Sequence, residues 1–311
     1  MKLVVGTRGS RLAMAQTSAV VEALRRAHPR LDVAVKVIAT EGDRITSGAL
    51  PSWGRGVFVR EIEQALLRGE IDLAVHSLKD IPAEMVDGLA IVAVPARADP
   101  GDVLVTRDGR TLHDLPRGAR VGTSSLRRAA FLRARFPHLA FPPVRGNVDT
   151  RCRKLLDPAG GYDALVLAAA GLERLSLDGV PRVPIPFDVL LPAPGQGALA
   201  VQARAGDGPT RAIAAALDHA PTAAAVTAER SALRHLEGGC RLPVAALATP
   251  VDGRLHLRVA VAAPDGSRVL EQDGWGPLSA PERLGAAVAG RLRALGAEAL
   301  LHAVGRSEAV V

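Results

Sequence analysis

The chain has 311 residues, enough for two or three domains, with 48% hydrophobic and 23% charged residues as in an ordinary soluble globular protein. Its net charge of +7 comes almost entirely from arginine, which favours an anionic partner because a guanidinium donates paired hydrogen bonds to carboxylate or phosphate. Aromatic residues, at 3%, are too few to stack nucleic-acid bases, and no apolar stretch is long enough to span a membrane, so a small polyanion is the expected ligand.

The first part of the chain alternates between strand and helix patterns, which is typical of α/β proteins. Ser10 is the predicted cap of a helix that keeps apolar residues at helical spacing until Pro29. A second helix is predicted around 57–68. Strands are predicted at 3–6, 33–37, 71–75 and 89–94.

A domain boundary is predicted at 96–102, ARADPGD, and a second set of α/β units follows it. The proline-rich segment 180–197 is predicted to cross between domains. Strands are predicted at 120–123, 163–168, 197–204, 243–248, 254–262 and 267–272. Helices are predicted at 124–135, 147–156, 209–218, 222–237 and 281–295. The last helix and three strands predict a small α+β domain.

Arginine recurs where predicted strands run into helices. In 121–128, VGTSSLRR, a glycine and three hydroxyl residues precede Arg127 and Arg128. Free backbone N–H groups and the helix dipole favour an anion at such a junction, although a serine cap with surface arginines is the simpler alternative. The same pattern recurs at 7–10, 144–151 and 170–175. Since ligands of open α/β sheets lie beyond the carboxyl ends of strands, we expect one shared anion site.

Asp80 follows a predicted buried strand in 76–80, HSLKD. Among so many cations its carboxylate should stay ionised, so it could stabilise a developing positive charge or move a proton. An ion pair with Lys79 or a turn cap is equally compatible with the sequence. His76 is expected to be a packed, structural histidine.

Cys240 follows two glycines at the end of a predicted helix, so its thiol should lie on a loop beside Arg241, which favours the thiolate. The other cysteine, Cys152, is expected to pack as a small hydrophobe. Two cysteines without metal-ligand spacing predict neither a disulfide framework nor a metal site, and favour the cytoplasm. The GxGxxA match in GQGALA is rejected as a dinucleotide site because it follows a proline-rich segment instead of a strand.

Eight motifs, in order, resemble those of the porphobilinogen deaminase (hydroxymethylbilane synthase) family. They are TRGSRLAMAQ, GRGVFVREIE, DLAVHSLKDIP, VGTSSLRR, RGNVDTR, LAAAGLERL, LPAPGQGA and ERSALRHLEGGCRLPVA. The resemblance implies a transferase of tetrapyrrole (heme or related porphyrin) biosynthesis. Such an enzyme joins four porphobilinogen molecules head to tail on a covalent dipyrromethane primer with release of ammonia, and hydrolysis then frees hydroxymethylbilane.

The resemblance also assigns roles to single residues. It implies that Cys240 holds the dipyrromethane cofactor through a thioether and that Asp80 stabilises cationic pyrroles and assists proton transfer. The residues implied to bind acetate and propionate groups are Arg8, Ser10, Lys79, Ser125, Arg127, Arg128, Arg145, Arg151 and Arg174. Those implied to line the cleft or form a lid are Gln16, Arg55, Phe58, Ser77, Thr123 and Gln196.

The implied fold is α/β, with two domains resembling type II periplasmic binding proteins around an active-site cleft, and a small C-terminal α+β domain that carries the cysteine loop. The expected domains are 1–97 with 196–217, 101–192, and 221–311. The resemblance also implies a cytoplasmic monomer acting on a small molecule, without nucleic acid, membrane or metal. One departure is the segment GALPSWGRG, where Pro51 and Arg55 stand in a loop that often carries lysines in the family.

Two other functions fit parts of the sequence. An anion receptor on the same two-lobed fold would need the arginines but neither Asp80 nor a reactive thiol. A hydrolase with Cys240 as nucleophile would need a nearby general base, and His235 is the close candidate, without an evident orienting partner. Asp80 and Cys240 together therefore favour the deaminase.

Overall fold

A computed structural model describes residues 2–40, 59–236 and 243–300. The chain divides into two compact units, Met1–Ala98 with Gly197–Ala223, and Asp99–Gln196 with Ala224–Val311. Each unit contains a mixed sheet with packed helices, and the second also contains an antiparallel sheet. The predicted division into three domains stays a prediction, since the last segment belongs to the second unit.

The first unit is built on a five-stranded sheet in the order β2-β1-β3-β9-β4. Its strands are β1 (Lys2–Thr7), β2 (Asp32–Val37), β3 (Leu73–Ser77), β4 (Leu89–Ala93) and β9 (Leu199–Arg204). The β1 strand is parallel to both β2 and β3, whereas β9 runs antiparallel to β3 and β4. Its helices are α1 (Arg11–Ala27), α2 (Arg60–Leu67), α6 (Gly208–Ala214) and the start of α7 (Ala220–His235).

The α1 helix shows how the sequence builds this unit. Ser10 caps it, as predicted, because the Ser10 side chain accepts a hydrogen bond from Ala13 N over 3.2 Å. Val20, Val21 and Leu24 lie on its buried face and pack in one core cluster with strand residues of β1 and β3. Burial of this apolar stripe fixes α1 against the sheet.

The second unit contains a four-stranded sheet in the order β6-β7-β5-β8. Its strands are β5 (Asp102–Thr106), β6 (Val121–Gly122), β7 (Ala164–Ala168) and β8 (Arg182–Pro184), and its helices are α3 (Leu126–Arg135), α4 (Val148–Leu156) and α5 (Ala169–Arg174). The β6 and β7 strands are parallel, and β5 runs antiparallel to β7 and β8.

An antiparallel sheet of β10 (Val244–Val251), β11 (Arg254–Ala262) and β12 (Val269–Pro277) completes the second unit, with helix α8 (Pro281–Ala294) against it. Ala245, Leu247 and Ala260 share a core cluster with residues of α3. The small C-terminal α+β fold predicted from sequence is therefore present, and it packs on the mixed sheet of its own unit.

The structure confirms the α/β class and most predicted elements but adds two strands, β5 and β8. The β5 strand was missed because Pro100 and Gly101 indicated a linker, yet all five residues of DVLVT are buried. The β12 strand also runs on to Pro277, beyond the predicted range of 267–272. The helix predicted at 209–218 is shorter, and its last part is a 3-10 turn, Ala215–Leu217.

Candidate active site

In the first unit, five predicted site residues line one small cavity. Asp80 ends a 3-10 turn, Leu78–Asp80, that directly follows β3. Its half-buried side chain faces a cavity of about 60 Å³. The predicted residues on this wall are Arg8, Ser10, Gln16, Ser77 and Asp80. Because β1 and β3 are parallel neighbours, the segments that follow them meet at the same edge of the sheet.

Hydrogen bonds fix two of these side chains to each other. Gln16 Nε2 donates to Ser77 Oγ over 3.0 Å, which ties α1 to the end of β3. Gln16 is buried and Ser77 half-buried. The pair thus holds the backbone that presents Lys79 and Asp80. Lys79 is half-buried and is not among the residues that line the cavity.

His76 lies buried on β3, beside the same cavity. Desolvation by burial is the main cause that lowers the pKa of His76 to about 4; a hydrogen bond with Gln202 opposes this shift, and the charge of Arg8 adds to it. The imidazole is therefore neutral at pH 7, as expected of a structural histidine. Gln202 also donates to Glu63 Oε1 over 2.9 Å, and burial raises the pKa of Glu63 above its usual value.

The neutral His76 predicts a specific pH dependence of stability. With a pKa of about 4 in the fold against 6.5 for a solvent-exposed histidine, the unfolded chain binds the proton first as the pH falls. The contribution of the neutral His76 to the free energy of unfolding is complete above pH 6.5 and is lost by pH 4, a loss of about 3 kcal/mol. Urea unfolding at several pH values gives the free energy of unfolding as a function of pH. Between pH 6.5 and 4 this free energy should fall less steeply for His76→Asn than for the natural chain. Parallel curves would contradict the prediction.

In the second unit, Arg127 and Arg128 are buried, only 4% and 6% exposed, and both bind Asp102. Arg127 Nη2 donates to Asp102 Oδ2 over 2.6 Å, and Arg128 Nη2 to Asp102 Oδ1 over 2.7 Å. Arg127 also donates to Leu191 O, and Arg128 to Val166 O. The sequence predicted both arginines at this junction, but it did not predict their protein carboxylate.

Two guanidiniums around one carboxylate leave the cluster with surplus positive charge. Burial by itself would raise the pKa of Asp102, but the charges of Arg127 and Arg128 outweigh it and lower that pKa to about 2. Burial also lowers the pKa of Arg127, yet a guanidinium beside a carboxylate remains protonated at neutral pH. The cluster is therefore cationic, which favours a further anion nearby.

Arg151 adds to this positive charge. Burial first, and then the charges of Arg128 and Arg145, lower the pKa of Arg151 to about 10. Like-charge repulsion of this kind means that the three guanidiniums lie within electrostatic reach, and a bound anion would relieve it. Arg145 is exposed, whereas Arg174, at the end of α5, is half-buried with a pKa lowered by desolvation.

Two hydroxyl side chains before α3 accept hydrogen bonds from backbone N–H groups. Ser125 is the N-cap, with Oγ accepting from Arg128 N over 3.3 Å, and Thr123 Oγ1 accepts from Ser125 N over 3.2 Å. Gly122 is required by packing, because a Cβ there would lie 2.7 Å from the Leu165 side chain and 2.8 Å from Tyr162. The capping alternative considered for this motif is therefore present, alongside the arginine cluster.

Gln196 is 1% exposed and binds protein groups. Its Nε2 donates to Pro100 O over 2.8 Å and to Asp102 Oδ1 over 2.9 Å. Asp102 was missed together with β5. The available signal was an aspartate that begins a fully apolar run, VLV, since a buried carboxylate at such a place needs a cationic partner.

Several predicted residues lie outside the described part of the chain: Cys240, Arg55, Phe58 and also Pro51 and Arg241. Among the described residues, no group of three or more His, Cys, Asp or Glu side chains could hold a metal ion. No helix within 2–40, 59–236 and 243–300 is long and apolar enough to cross a membrane.

Family models match the chain almost throughout. Residues 3–212 match "Porphobilinogen deaminase, dipyromethane cofactor binding domain", and residues 223–294 match "Porphobilinogen deaminase, C-terminal domain". The chain belongs to the porphobilinogen deaminase family. The porphobilinogen deaminase of Desulforudis audaxviator is 51% identical over 97% of this chain and 98% of that protein. That of Brevibacillus brevis is 48% identical over 96% of both chains.

Two solved structures similar to this one share little sequence with this chain. A TRAP periplasmic solute binding protein from Desulfovibrio salexigens has a TM-score of 0.41 and 11% identity, covering 70% of this chain and 72% of that one. The BenM effector binding domain has a TM-score of 0.41 and 16% identity, covering 69% and 88%. The α/β fold class follows from the sheets and helices described above.

Proposed function

We propose that this chain is a hydroxymethylbilane synthase that condenses four porphobilinogen molecules head to tail on a dipyrromethane primer. Each addition releases ammonia, and hydrolysis then frees the linear tetrapyrrole. The observation that carries the proposal, beyond the family itself, is the buried cluster of Arg127, Arg128 and Asp102 with its surplus positive charge. A growing chain of pyrroles that carry acetate and propionate groups is a polyanion of the kind this charge favours.

The charge and chemistry of these residues fit a dipyrromethane. Its carboxylates match the cationic cluster, whose repulsion on Arg151 an anion would relieve. Arg145 and Arg174 would add further carboxylate contacts, and the Cys240 thiol would form the thioether. When bound, the dipyrromethane supplies the primer to which porphobilinogen units are added.

The residues of the first unit would bind substrate and handle charge and protons. Loss of ammonia leaves positive charge on the substrate, and the Asp80 carboxylate would stabilise that charge and accept or return a proton. Arg8 and Ser10, on the same cavity wall, would hold substrate carboxylates. Among the described residues that line this cavity, Asp80 is the one acidic residue; the other titratable side chains are the cationic Arg8 and the neutral His76.

We also infer that the protein acts as a cytoplasmic monomer on this small molecule, without nucleic acid, membrane or metal. The low aromatic content argues against binding of nucleic-acid bases, and the family supports the small-molecule substrate. Light scattering on the purified protein tests the monomer. A non-catalytic anion receptor is not favoured, because the family is one of enzymes.

The intact mass of the denatured protein tests the covalent primer. We expect an added mass equal to two condensed pyrrole units on the natural chain and a bare polypeptide mass for Cys240→Ser. Cys152→Ser is the matched control, because Cys152 is buried in a core cluster, and it should retain the added mass. If the natural chain stays bare, incubation with porphobilinogen decides: continued absence of an adduct would refute the proposed function.

A further inference from the structure

A chain of buried hydrogen bonds leads from helix α7 to the arginine pair, entirely within the second unit. Glu229 of α7 is fully buried. Its Oε2 accepts from Gly195 N over 2.7 Å, and its Oε1 accepts from Ala248 N over 2.8 Å. One carboxylate thereby joins the turn at Gly195 to strand β10, because buried N–H groups need acceptors and a charged acceptor binds them strongly.

The turn continues directly into Gln196. Gly195 has a φ of +74°, and Gly197 a φ of +85°, conformations that favour glycine on both sides of this residue. Gln196 N also donates to Ala193 O over 2.9 Å, which closes the turn. The hydrogen bonds of Gly195 N and Gln196 N therefore fix the turn that presents the Gln196 side chain.

The Gln196 amide ends on the carboxylate that organises the arginines. Asp102 Oδ1 accepts from Gln196 Nε2 over 2.9 Å, and from Arg128 Nε and Nη2 over 3.0 and 2.7 Å. The second contact of that amide, Pro100 O at 2.8 Å, fixes it to the segment before β5. Gln196 thus limits the rotation of the Asp102 carboxylate, whose plane sets the direction of the Arg128 guanidinium.

We propose that Gln196 is a positioning residue that orients Arg128 through Asp102, with Glu229 fixing the turn that presents it. The role in anion binding rests on the proposed function, whereas the orientation itself does not. Helix α7 ends at His235, five residues before Cys240, so the same helix that leads to the cysteine also fixes the turn behind the arginine pair.

The test replaces Gln196 by methionine, which keeps the side-chain length and removes the N–H donor. In protein labelled with ¹⁵N-arginine, the buried Arg128 Nε–H signal reports its bond to Asp102. Arg128→Lys assigns that signal. We expect Gln196→Met to shift it and to speed its hydrogen exchange at least about tenfold, the effect of losing one hydrogen bond to a charged group. On the proposed function, we also expect a smaller share of the purified protein to carry the primer, as read from the intact mass of the denatured protein.

Gln202→Met is the matched control. Gln202 is also a fully buried glutamine whose amide donates to a carboxylate, that of Glu63, but in the first unit. It should lower thermal stability about as much as Gln196→Met and leave the Arg128 signal unchanged. In an Asp102→Asn background, Gln196→Met should change the hydrogen-exchange rate of Arg128 Nε–H by less than a further twofold.

The outcomes are separable. An Arg128 signal unchanged by Gln196→Met, or changed equally by Gln202→Met, would overturn the positioning role. A changed signal with an unchanged share of primer-loaded protein would support the positioning role and remove the assigned role of the pair in binding the primer. If Asp102→Asn does not fold, the comparison of the two glutamine variants still decides. If the natural chain does not turn over porphobilinogen, the proposed function fails and the exchange rates alone decide this inference.

Discussion

Replacing Asp80 by asparagine is expected to slow porphobilinogen condensation by about 10²- to 10³-fold. The asparagine keeps the shape of the side chain but removes the negative charge that would stabilise the cationic substrate and the oxygen that would accept its proton. Because Arg8 lies on the same cavity wall, the loss of Asp80 leaves the cavity with a net positive charge, which opposes the same developing cation. The single-turnover rate of ammonia release measures the effect on the chemical step.

Asp87→Asn is the control for that experiment, since Asp87 is an exposed aspartate of the same unit, outside the cavity. It should keep the natural rate. The same asparagine at position 80 should leave the unfolding midpoint almost unchanged, because the Asp80 side chain is only half-buried. A rate within fivefold of the natural chain would show that Asp80 is not the group that handles charge in this reaction.

The positions of Asp80 and the arginines could be predicted because they follow from strand ends. A buried apolar run predicts a strand, and a polar residue directly after it must lie at an edge of the sheet. This predicted Asp80 after β3, and Arg127 and Arg128 after β6, where the structure has them. Ser77, predicted directly after that strand, is its last residue. Ser10 could be predicted as a cap from the start of the apolar pattern alone.

The partners of these residues could not be predicted, because they are distant in sequence. Asp102 lies 25 residues from Arg127 and 94 from Gln196, and Glu229 lies 34 from Gly195. Single-sequence patterns report local spacing, whereas a buried carboxylate shows only as one polar residue beside an apolar run. The order of strands in the sheets, where β9 inserts between β3 and β4, is likewise set by packing that no local pattern records.

Replacing Asp102 by asparagine is expected to lower the free energy of unfolding by about 3–5 kcal/mol. The substitution leaves Arg127 and Arg128 buried without the carboxylate that both bind. That loss is a large part of the 5–15 kcal/mol typical of a folded domain, so the variant should be folded but marginal. Urea unfolding at pH 7, followed by circular dichroism, measures it.

The surface pair of Arg110 and Asp108 is the matched comparison in the same unit. Its atoms are 2.7 Å apart, but both side chains are about half exposed, so Asp108→Asn should cost less than about 1 kcal/mol. The loss caused by Asp102→Asn should stay constant from pH 8 to about pH 4. It should shrink below that, because the unfolded natural chain binds a proton at Asp102 first: the pKa of this group is about 2 in the fold against 3.8 for a solvent-exposed aspartate. Equal losses for the two variants would mean that the buried cluster contributes no more than a solvated ion pair, and that its arginines are held by Leu191 O and Val166 O instead of by Asp102.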